Sequence, residues 1–198
     1  MIYLSSNADY PEELSNLFGV MFSANRRTGG LRQKLARGDL WALDNNAFTG
    51  KFDSGRWVSS LQYNTDFADS CVLVSIPDAL GDSRKTVKMF YKYRHLVTNY
   101  PAALVTQDGM TPELVPWADI NVLFIGGTDA HKLGPEASIL ITAANEREVP
   151  VHVGRVNSTK RIRQFAGCAS SDGTHFRFVP KYKREKEYVR FAEVLKLC

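Results

Sequence analysis

The sequence predicts a mixed α/β fold with a parallel sheet, either a compact TIM-like (β/α) barrel or an open doubly wound sheet. Short apolar runs alternate with amphipathic segments along the whole chain, which is the pattern of repeated β/α units. The runs are apolar almost throughout, as in strands that are covered on both faces. Five of them end in polar or acidic residues, in the segments LWALDNN, VLVSIPDALGD, AALVTQDG, VLFIGGTD and CASSDGT.

Seven strand-like runs are visible, one fewer than a closed eight-stranded barrel needs. In chain order they are Ile2–Leu4, Trp41–Leu43, Cys71–Ile76, Ala102–Val105, Val122–Ile125, Val151–Val153 and a weak run at Cys168–Ser170. A barrel of this type usually has ~250 residues, whereas this chain has 198. A barrel would therefore be trimmed, with its eighth strand expected near Phe176–Val179.

Six amphipathic segments lie between these runs and predict helices. They are Glu12–Phe22, Gly55–Tyr63, Ser83–Thr98, Lys132–Arg147, Thr159–Phe165 and Lys183–Leu197. Ser158 is the expected N-cap of the fifth helix, and Asp82 or Ser83 that of the third, because their side chains can accept from first-turn N–H groups. No repeat or linker interrupts the pattern, so residues 1–198 are predicted to form a single domain.

The composition is that of an ordinary globular protein, with 44% hydrophobic and 23% charged residues. No run approaches the roughly 18 apolar residues of a membrane span, and the N-terminus does not have the pattern of a secretion signal. Cys71, Cys168 and Cys198 are far apart and lack zinc-ligand spacing, so neither a metal nor another cofactor is predicted. We therefore expect a reducing, cytoplasmic setting.

The net charge of +4 is mild and by itself fits a slightly basic solvated surface. The basic residues nevertheless concentrate in three groups, which suits a polyanionic partner without specifying which one. The groups are Arg26, Arg27, Arg32, Lys34 and Arg37; Lys160, Arg161 and Arg163; and Lys181, Lys183, Arg184, Lys186 and Arg190.

Three of the strand-like runs place an aspartate just past the predicted strand, at Asp44, Asp78 and Asp172. In a β/α protein the residues beyond the carboxyl ends of the strands gather on one face, where active sites are built. Three acids at one mouth are unfavourable unless they perform chemistry or bind a cationic or hydrogen-bond-rich ligand. The sequence therefore predicts a functional site that contains all three.

Five motifs between Leu40 and Thr174 resemble, in order, elements of the tRNA-guanine transglycosylase superfamily. The first resembles the family's acidic strand end, which is followed by small residues and a Phe. The others resemble, in order, the family's second acidic strand end, its Gln-Gly element, its Gly-Gly turn and the segment that presents its nucleophilic aspartate. This resemblance favours the barrel over the open sheet. The motifs are Ala42–Phe48, Ile76–Asp78, Leu104–Gly109, Phe124–Gly127, and Val153–Arg155 together with Gly167–Thr174.

The chain lacks the cysteine/histidine zinc site of the tRNA enzymes and is much shorter than they are. It is more similar to the DNA-directed branch, in which phage and bacterial proteins insert 7-deazaguanines into DNA. The resemblance implies a base-exchange N-glycosyltransferase that replaces guanine through a covalent aspartyl intermediate. Its partners would be DNA or another nucleic acid and a free 7-deazaguanine base, in the host cytoplasm if the protein is phage-encoded. A partner subunit or a homodimer would fit so compact a chain.

Asp172 and Asp44 are the predicted catalytic residues. Cleavage of an N-glycosidic bond puts positive charge on the sugar and negative charge on the base, so one carboxylate can attack the anomeric carbon while another acid manages the proton of the base. The resemblance assigns the attack to Asp172 and the general acid/base role to Asp44. Without it, an Asp-Gly turn residue is the better interpretation of Asp172, and a turn or capping role is as good an interpretation of Asp44 as chemistry.

Four residues are predicted to bind the base: Asp78, Gln107, Gly126 and Gly127. The Asp78 carboxylate could accept from the ring N–H and exocyclic amine of a guanine-like base, and Gln107 could bond the base carbonyl. Gly126 and Gly127 would let the backbone approach a planar ligand, with the Gly127 N–H as donor. The alternatives are a charge at a helix N-terminus for Asp78, a solvated loop position for Gln107 and a simple tight turn for Gly126 and Gly127.

Five basic residues are predicted to contact the nucleic-acid backbone, with a helix-face salt bridge as the alternative for the first two. They are Arg155, Lys132, Lys160, Arg161 and Arg163. A base within a duplex cannot reach such a pocket, so the target nucleotide must be flipped out or already single-stranded.

The remaining polar and aromatic residues near these motifs are given structural roles. Asp108 is predicted to be a turn residue before Gly109, and His131 a loop or surface residue. Trp41, Trp57 and Trp117 are expected to pack in the core or at its rim.

Other functions remain open at this point. The same pocket could belong to an N-glycosidase that hydrolyses a modified nucleoside. The chain could also be a non-catalytic nucleic-acid-binding subunit of a DNA-modification complex. A small-molecule α/β enzyme, such as a phosphate-sugar isomerase, is less favoured because no clear phosphate loop is visible.

Overall fold

The computed structural model of the protein describes residues 1–6, 9–24 and 31–198, and within them eight parallel strands form a closed barrel. Each strand pairs with the next along the chain, and the last pairs with the first. The strands are β1 Ile2–Ser5, β2 Phe18–Ser23, β3 Leu40–Asp44, β4 Cys71–Ser75, β5 Ala102–Val105, β6 Val122–Ile125, β7 Val151–Val153 and β8 Ser170–Gly173.

Helices and short 3₁₀ segments connect the strands and cover the outside of the barrel. The α-helices are α1 Leu31–Ala36, α2 Ser54–Tyr63, α3 Ser83–Tyr93, α4 Asp129–Leu133, α5 Pro135–Asn145, α6 Thr159–Gln164, α7 His175–Phe178 and α8 Lys181–Leu195. The 3₁₀ segments are Glu12–Leu14, Ala47–Thr49, Thr65–Ser70, Arg94–Leu96 and Pro112–Leu114.

The barrel separates two hydrophobic cores. A small inner core of aliphatic side chains and one aromatic ring fills its interior, and a larger outer core lies between the strands and the helices. On the β1 side, the outer core is mostly aromatic: the ring of Phe176 stacks on that of Tyr188 at 3.7 Å between centroids, and Tyr3 packs edge-on against both Phe18 and Phe191. Helix α8, which carries Tyr188 and Phe191, thereby packs against β1 and β2.

The predicted barrel is confirmed, and the open doubly wound sheet is wrong. The predicted strands Ala102–Val105, Val122–Ile125 and Val151–Val153 have the observed bounds. Asp82 caps α3 by accepting from the Lys85 N–H at 2.8 Å, and Ser158 caps α6 by accepting from the Arg161 N–H at 3.3 Å.

The strand missing from the seven predicted runs is β2, Phe18–Ser23, so the predicted helix Glu12–Phe22 is wrong beyond its first turn. Apolar residues in this segment follow helical spacing, yet Phe18, Val20 and Phe22 are all buried as one face of a strand. Gly19 lies between them, and a Cβ at this position would come 2.5 Å from the Leu40 carbonyl oxygen. The glycine therefore permits close pairing with β3 and disfavours a helix.

The strand predicted near Phe176–Val179 is also wrong, because this segment forms α7. The weak run at Cys168–Ser170 is displaced toward the C-terminus, since the strand is Ser170–Gly173. The helix predicted over Lys132–Arg147 begins earlier, at Asp129, and is divided by Gly134, where a Cβ would come 2.7 Å from the Ala130 carbonyl oxygen.

Two further observations concern the first basic group and the presence of membrane-spanning helices. Arg26 and Arg27 of the first basic group lie outside the described residues. Across the described ranges, we find no helix with the length and apolar character that crossing a bilayer requires.

Candidate functional site

A cavity of about 220 Å³ opens at the carboxyl ends of the strands. The catalytic and base-binding residues predicted from the sequence all line it, and they reach it from five different strand ends. The lining residues are Met21, Asp44, Asn45, Phe48, Thr49, Asp78, Leu80, Val105, Gln107, Phe124, Gly126, Gly127, Gly154, Arg155, Asp172 and Thr174.

Asp44 is the last residue of β3, and burial raises the pKa of its carboxyl to about 6. The neighbouring carboxylates of Asp172 and Asp78 act in the same direction, whereas the backbone N–H groups of Asn46 and Asn45 oppose them. A carboxyl group with this pKa exchanges protons readily near neutral pH, as a general acid or base must.

Asp172 lies within β8, where its carboxylate is 18% exposed and faces the same cavity. Its Oδ1 atom accepts from Nε2 of His152 at 3.0 Å. His152 is fully buried in β7, and its other ring nitrogen, Nδ1, lies 2.8 Å from the hydroxyl of Ser170. The edge of Phe124 packs against the imidazole at 4.4 Å between centroids. Asp172 is therefore held in one orientation by a residue on the adjacent strand.

Asp78 is buried and bound from two sides by amide groups. Asn45 Nδ2 donates to its Oδ1 at 2.8 Å, and Gln107 Nε2 donates to its Oδ2. Gln107 is itself fixed, since its Oε1 accepts from the Gly81 N–H at 3.0 Å. Burial raises the pKa of Asp78, while these amide donors counteract the rise. The result is a rigid polar floor with carboxylate lone pairs beside the cavity.

The Gly126–Gly127 turn after β6 forms another wall of the cavity. A Cβ on Gly126 would come 2.6 Å from Cγ1 of Val105, and Gly127 has a φ of 72°, in the left-handed region. Both positions therefore require glycine for local structure, whatever ligand the turn meets. Asp108 lies in a turn with Gly109, as predicted, and its carboxylate also supports the Gly126–Gly127 turn by accepting from the N–H and the hydroxyl of Thr128.

Arg155 follows β7 and lines the cavity, which agrees with its predicted position near the mouth of the barrel. Its φ of 59° is left-handed, which is uncommon for a residue with a side chain. The guanidinium donates to the Gly127 carbonyl and lies 4.3 Å from the centroid of the exposed Phe48 ring. These contacts place a cation and an aromatic ring together at the opening.

The other four residues that were predicted to contact the nucleic-acid backbone lie in different environments. Lys132 has a side chain only 1% exposed, and its ammonium donates to the Gly154 carbonyl at 2.8 Å, so the prediction that it contacts an external phosphate is not supported. Arg161 is bound to Asp129 at 3.3 Å. Lys160 and Arg163 are exposed on α6 and remain accessible to a polyanion.

A second, more polar lobe of about 260 Å³ adjoins the first and shares Asp44 and Asp172 with it. Its walls include hydroxyl, amide and guanidinium groups, and the Ser6 hydroxyl oxygen is buried without a hydrogen-bond partner in the described structure. The two carboxylates thus stand between a lobe walled partly by apolar side chains and a polar lobe. The polar lobe is lined by Leu4, Ser6, Met21, Phe22, Ser23, Asp44, Asn46, Thr49, Asp172, Gly173, Thr174 and Arg177.

Comparison with known proteins leaves this site to be interpreted from its own geometry. No protein-family model matches the chain, and a search of curated proteins gives no significant match. Within the described residues, no group of three or more His, Cys, Asp or Glu side chains is arranged to hold a metal ion.

Several residues of the site were missed by sequence reasoning. His152, Asn45 and Arg177 received no role, and the expectation that His131 is a loop or surface residue is wrong, because it is buried between Glu136 and Thr106. A signal for His152 existed: it is the polar residue in an otherwise apolar strand, next to the strand that carries Asp172. Trp41 and Trp57 are core residues, as expected.

Proposed function

We propose that the protein is a base-exchange N-glycosyltransferase that acts on nucleic acid, most readily DNA, and replaces guanine with a 7-deazaguanine. One observation carries the proposal: Asp44 and Asp172 face a common cavity in different environments. Asp172 is bound by a histidine, whereas the pKa of Asp44 is raised by burial. Carboxyl groups in contrasting environments at one site are suited to separate nucleophilic and acid/base roles.

The proposed reaction balances without a cofactor. An oxygen of Asp172 bonds to the anomeric carbon of the sugar while the bond from that carbon to the guanine nitrogen breaks. The electron pair goes to the departing base, which takes a proton from Asp44. The incoming base then returns a proton to Asp44, and its nitrogen displaces Asp172 from the sugar. Two displacements retain the configuration at the anomeric carbon.

The walls of the first lobe suit a flat, guanine-like base. Val105 and Phe124 provide apolar surface, and the floor formed by Asp78 and Gln107 provides hydrogen-bonding groups. Because both amide partners of Asp78 are fixed, its remaining lone pairs are pre-oriented toward a donor in the cavity. A free 7-deazaguanine carries the same ring N–H and exocyclic amine as guanine, so one floor can accept both bases.

The proposed macromolecular substrate rests on charge and on the resemblance to the DNA-directed transglycosylases. Arg155 lies at the opening, and Lys160 and Arg163 are exposed on the helix that follows it. Cations near the mouth would hold phosphates on either side of an extruded nucleotide. We expect the protein to work in the cytoplasm, or the host cytoplasm if it is phage-encoded, alone or with a partner subunit or second copy.

The proposal is tested by incubating the protein with guanine-containing DNA or RNA and isotope-labelled guanine. We expect label to enter the polymer and a denaturation-resistant protein–nucleic acid adduct to form. Asp172→Asn should abolish both, whereas Asp119→Asn, at an aspartate that contacts Tyr91 and does not line the cavity, should change neither. Full exchange by Asp172→Asn would exclude the mechanism, and release of base without incorporation would identify an N-glycosidase instead.

A further inference from the structure

The end of α7 and the first turn of α8 expose two aromatic rings that the core does not need. Phe178 is 77% exposed and Tyr182 is 82% exposed. Their neighbours Phe176 and Tyr188 are fully buried and already provide the packing of this segment against the barrel. Two exposed aromatic rings four residues apart in the chain are a candidate contact surface for a partner.

Three exposed cations accompany these rings: Arg177, Lys181 and Lys183. The Arg177 guanidinium lies 6.0 Å from the Phe178 ring centroid, and the Lys183 ammonium lies 5.5 Å from that of Tyr182. Within the described part of the chain, none of these cations forms a salt bridge, whereas the nearby Arg184 is paired with Asp9. Their charge is thus left for an external anion.

This surface is continuous with the candidate active site. Arg177 lines the polar lobe together with Asp44 and Asp172. A single residue, Thr174, separates β8 from α7, so the segment leaves the barrel from the strand that carries Asp172. The path from Asp172 to the exposed rings therefore runs along one short stretch of chain.

We propose that the surface formed by Arg177, Phe178, Lys181, Tyr182 and Lys183 binds single-stranded nucleic acid that flanks the target nucleotide. Aromatic rings offer stacking platforms for unpaired bases, and unpaired cations between them follow the phosphates. This inference rests on the proposed function for the nature of the polymer, and it adds where the strand runs and that the strand is unpaired.

The experiment measures binding of a fluorescent single-stranded oligonucleotide of about 16 nucleotides, and of the matching duplex, to the full chain. The Phe178→Ser/Tyr182→Ser variant should weaken binding of the single strand by at least about fivefold per ring and affect the duplex less. Tyr91→Ser is the matched control, since Tyr91 is 56% exposed on α3, outside the proposed surface. Because all three positions are exposed, the variants should fold normally.

A second variant separates charge from stacking. Replacing Arg177, Lys181 and Lys183 with serine should reduce the salt dependence of binding, because each lost phosphate contact lowers the slope of log K against log salt by roughly 0.7. Single-strand affinity unchanged in both variants would overturn the inference. So would an equal loss for single strand and duplex, or conversion of a dimer to a monomer by the aromatic variant, which would indicate a second copy as the occupant.

The two proposals fail in different ways. If wild-type protein exchanges guanine but the variants bind and react like wild type, the transferase function stands and the surface is rejected. If the variants lose single-strand binding but wild type exchanges no base, the surface stands and the transferase function is rejected.

Discussion

The imidazole of His152 bridges two residues of the neighbouring strand, lying 3.0 Å from Oδ1 of Asp172 through Nε2 and 2.8 Å from Oγ of Ser170 through Nδ1. An ionised carboxylate can only accept hydrogen bonds, so Nε2 carries the proton of that contact. In the neutral ring Nδ1 then accepts from the Ser170 hydroxyl. The register of β7 and β8 therefore fixes both the ring and the carboxylate that it orients.

Replacing His152 with leucine should slow formation of the covalent adduct. A hydrogen bond to a charged group contributes roughly 1.5–3 kcal/mol, so we expect a loss of about tenfold to 100-fold in the rate. His152→Gln, whose amide can still donate to Asp172, should recover part of it. Single-turnover kinetics provide the measurement, with KM expected to change less than kcat.

A purely structural role for His152 makes a different prediction. In that case the leucine and glutamine variants would lower thermal stability in step with the rate, and glutamine would give no selective recovery. Long-range ¹H–¹⁵N spectra of wild-type protein supply an independent check, because donation to the Asp172 carboxylate requires a proton on Nε2.

The acid role proposed for Asp44 predicts a specific pH dependence of adduct formation. Since the pKa of Asp44 is raised to about 6, the protonated carboxyl that donates to the departing base becomes scarce above this pH. The rate of adduct formation should fall as pH rises past about 6, and Asp44→Asn should be slow with no such decline. A wild-type rate that is flat between pH 5 and about 8 would contradict the role.

The same group should affect stability with a defined sign. Because the folded-state pKa of Asp44 lies above its unfolded value, ionisation of Asp44 costs stability as pH rises from about 4 to 6. Asp44→Asn should therefore be more stable than wild type at neutral pH, by on the order of 2 kcal/mol, and lose this advantage near pH 4. Urea unfolding at several pH values measures the difference.

Lys132 provides a test at the opposite end of the pH scale. Burial, with a smaller contribution from Arg155, lowers its pKa to about 8, below the unfolded value. The charged lysine thus costs stability at neutral pH, and this cost disappears as pH rises from 8 to about 10. We expect the stability of wild type relative to Lys132→Met to increase over this range, by up to about 3 kcal/mol.

The comparison with Lys132→Met matters because other groups titrate in the same window. Burial raises the pKa of the Cys168 thiol to about 11, which lowers the stability of both proteins as pH rises. Only the difference between the two unfolding free energies isolates Lys132. A difference that stays constant from pH 7 to about 10 would show that Lys132 does not carry this linkage.

Glycine substitutions test the steric account of the cavity wall. Gly126→Ala places a Cβ 2.6 Å from Val105 Cγ1 and 2.9 Å from the Thr106 carbonyl oxygen, so we expect destabilisation of about 1–3 kcal/mol. Gly55→Ala, in α2, meets only Asp53 Oδ1 at 3.5 Å and should be neutral or stabilising. Thermal unfolding of both variants provides the measurement, and equal stabilities would contradict the packing described at the Gly-Gly turn.

The sequence was most informative where strands are apolar throughout and end in polar residues. The strand ends at Asp44 and Gly126 could be predicted because the hydrophobic pattern and the residue composition indicate the same strand end there. The conformation of residues 12–22 was harder to predict, because an amphipathic helix would have the same spacing of apolar residues. These residues are Leu14, Leu17, Phe18 and Met21. Close pairing at Gly19 decides for a strand, and that contact with Leu40 is a tertiary feature that local sequence does not display.

Convergence of the acids on one cavity was predictable from topology, but their individual environments were not. The sequence does not reveal that His152 lies against Asp172, because this contact depends on the stagger between β7 and β8. Nor does it reveal that the ammonium of Lys132 turns inward to the Gly154 carbonyl, since a charged residue three positions after Asp129 on α4 suggests a solvated face. The directions of the side chains were harder to predict from the sequence than the secondary structure.

Closure of the barrel through β8 and β1 has a consequence for how the chain acquires reactivity. Asp172 is paired in register with Leu4, from the opposite end of the polypeptide, while its histidine support comes from β7. A ribosome completes β8 after every other strand, so the candidate nucleophile cannot be oriented until the final strand inserts between two that already exist. Nascent or partly opened molecules would therefore lack the oriented Asp172 carboxylate that the closed barrel presents to the cavity.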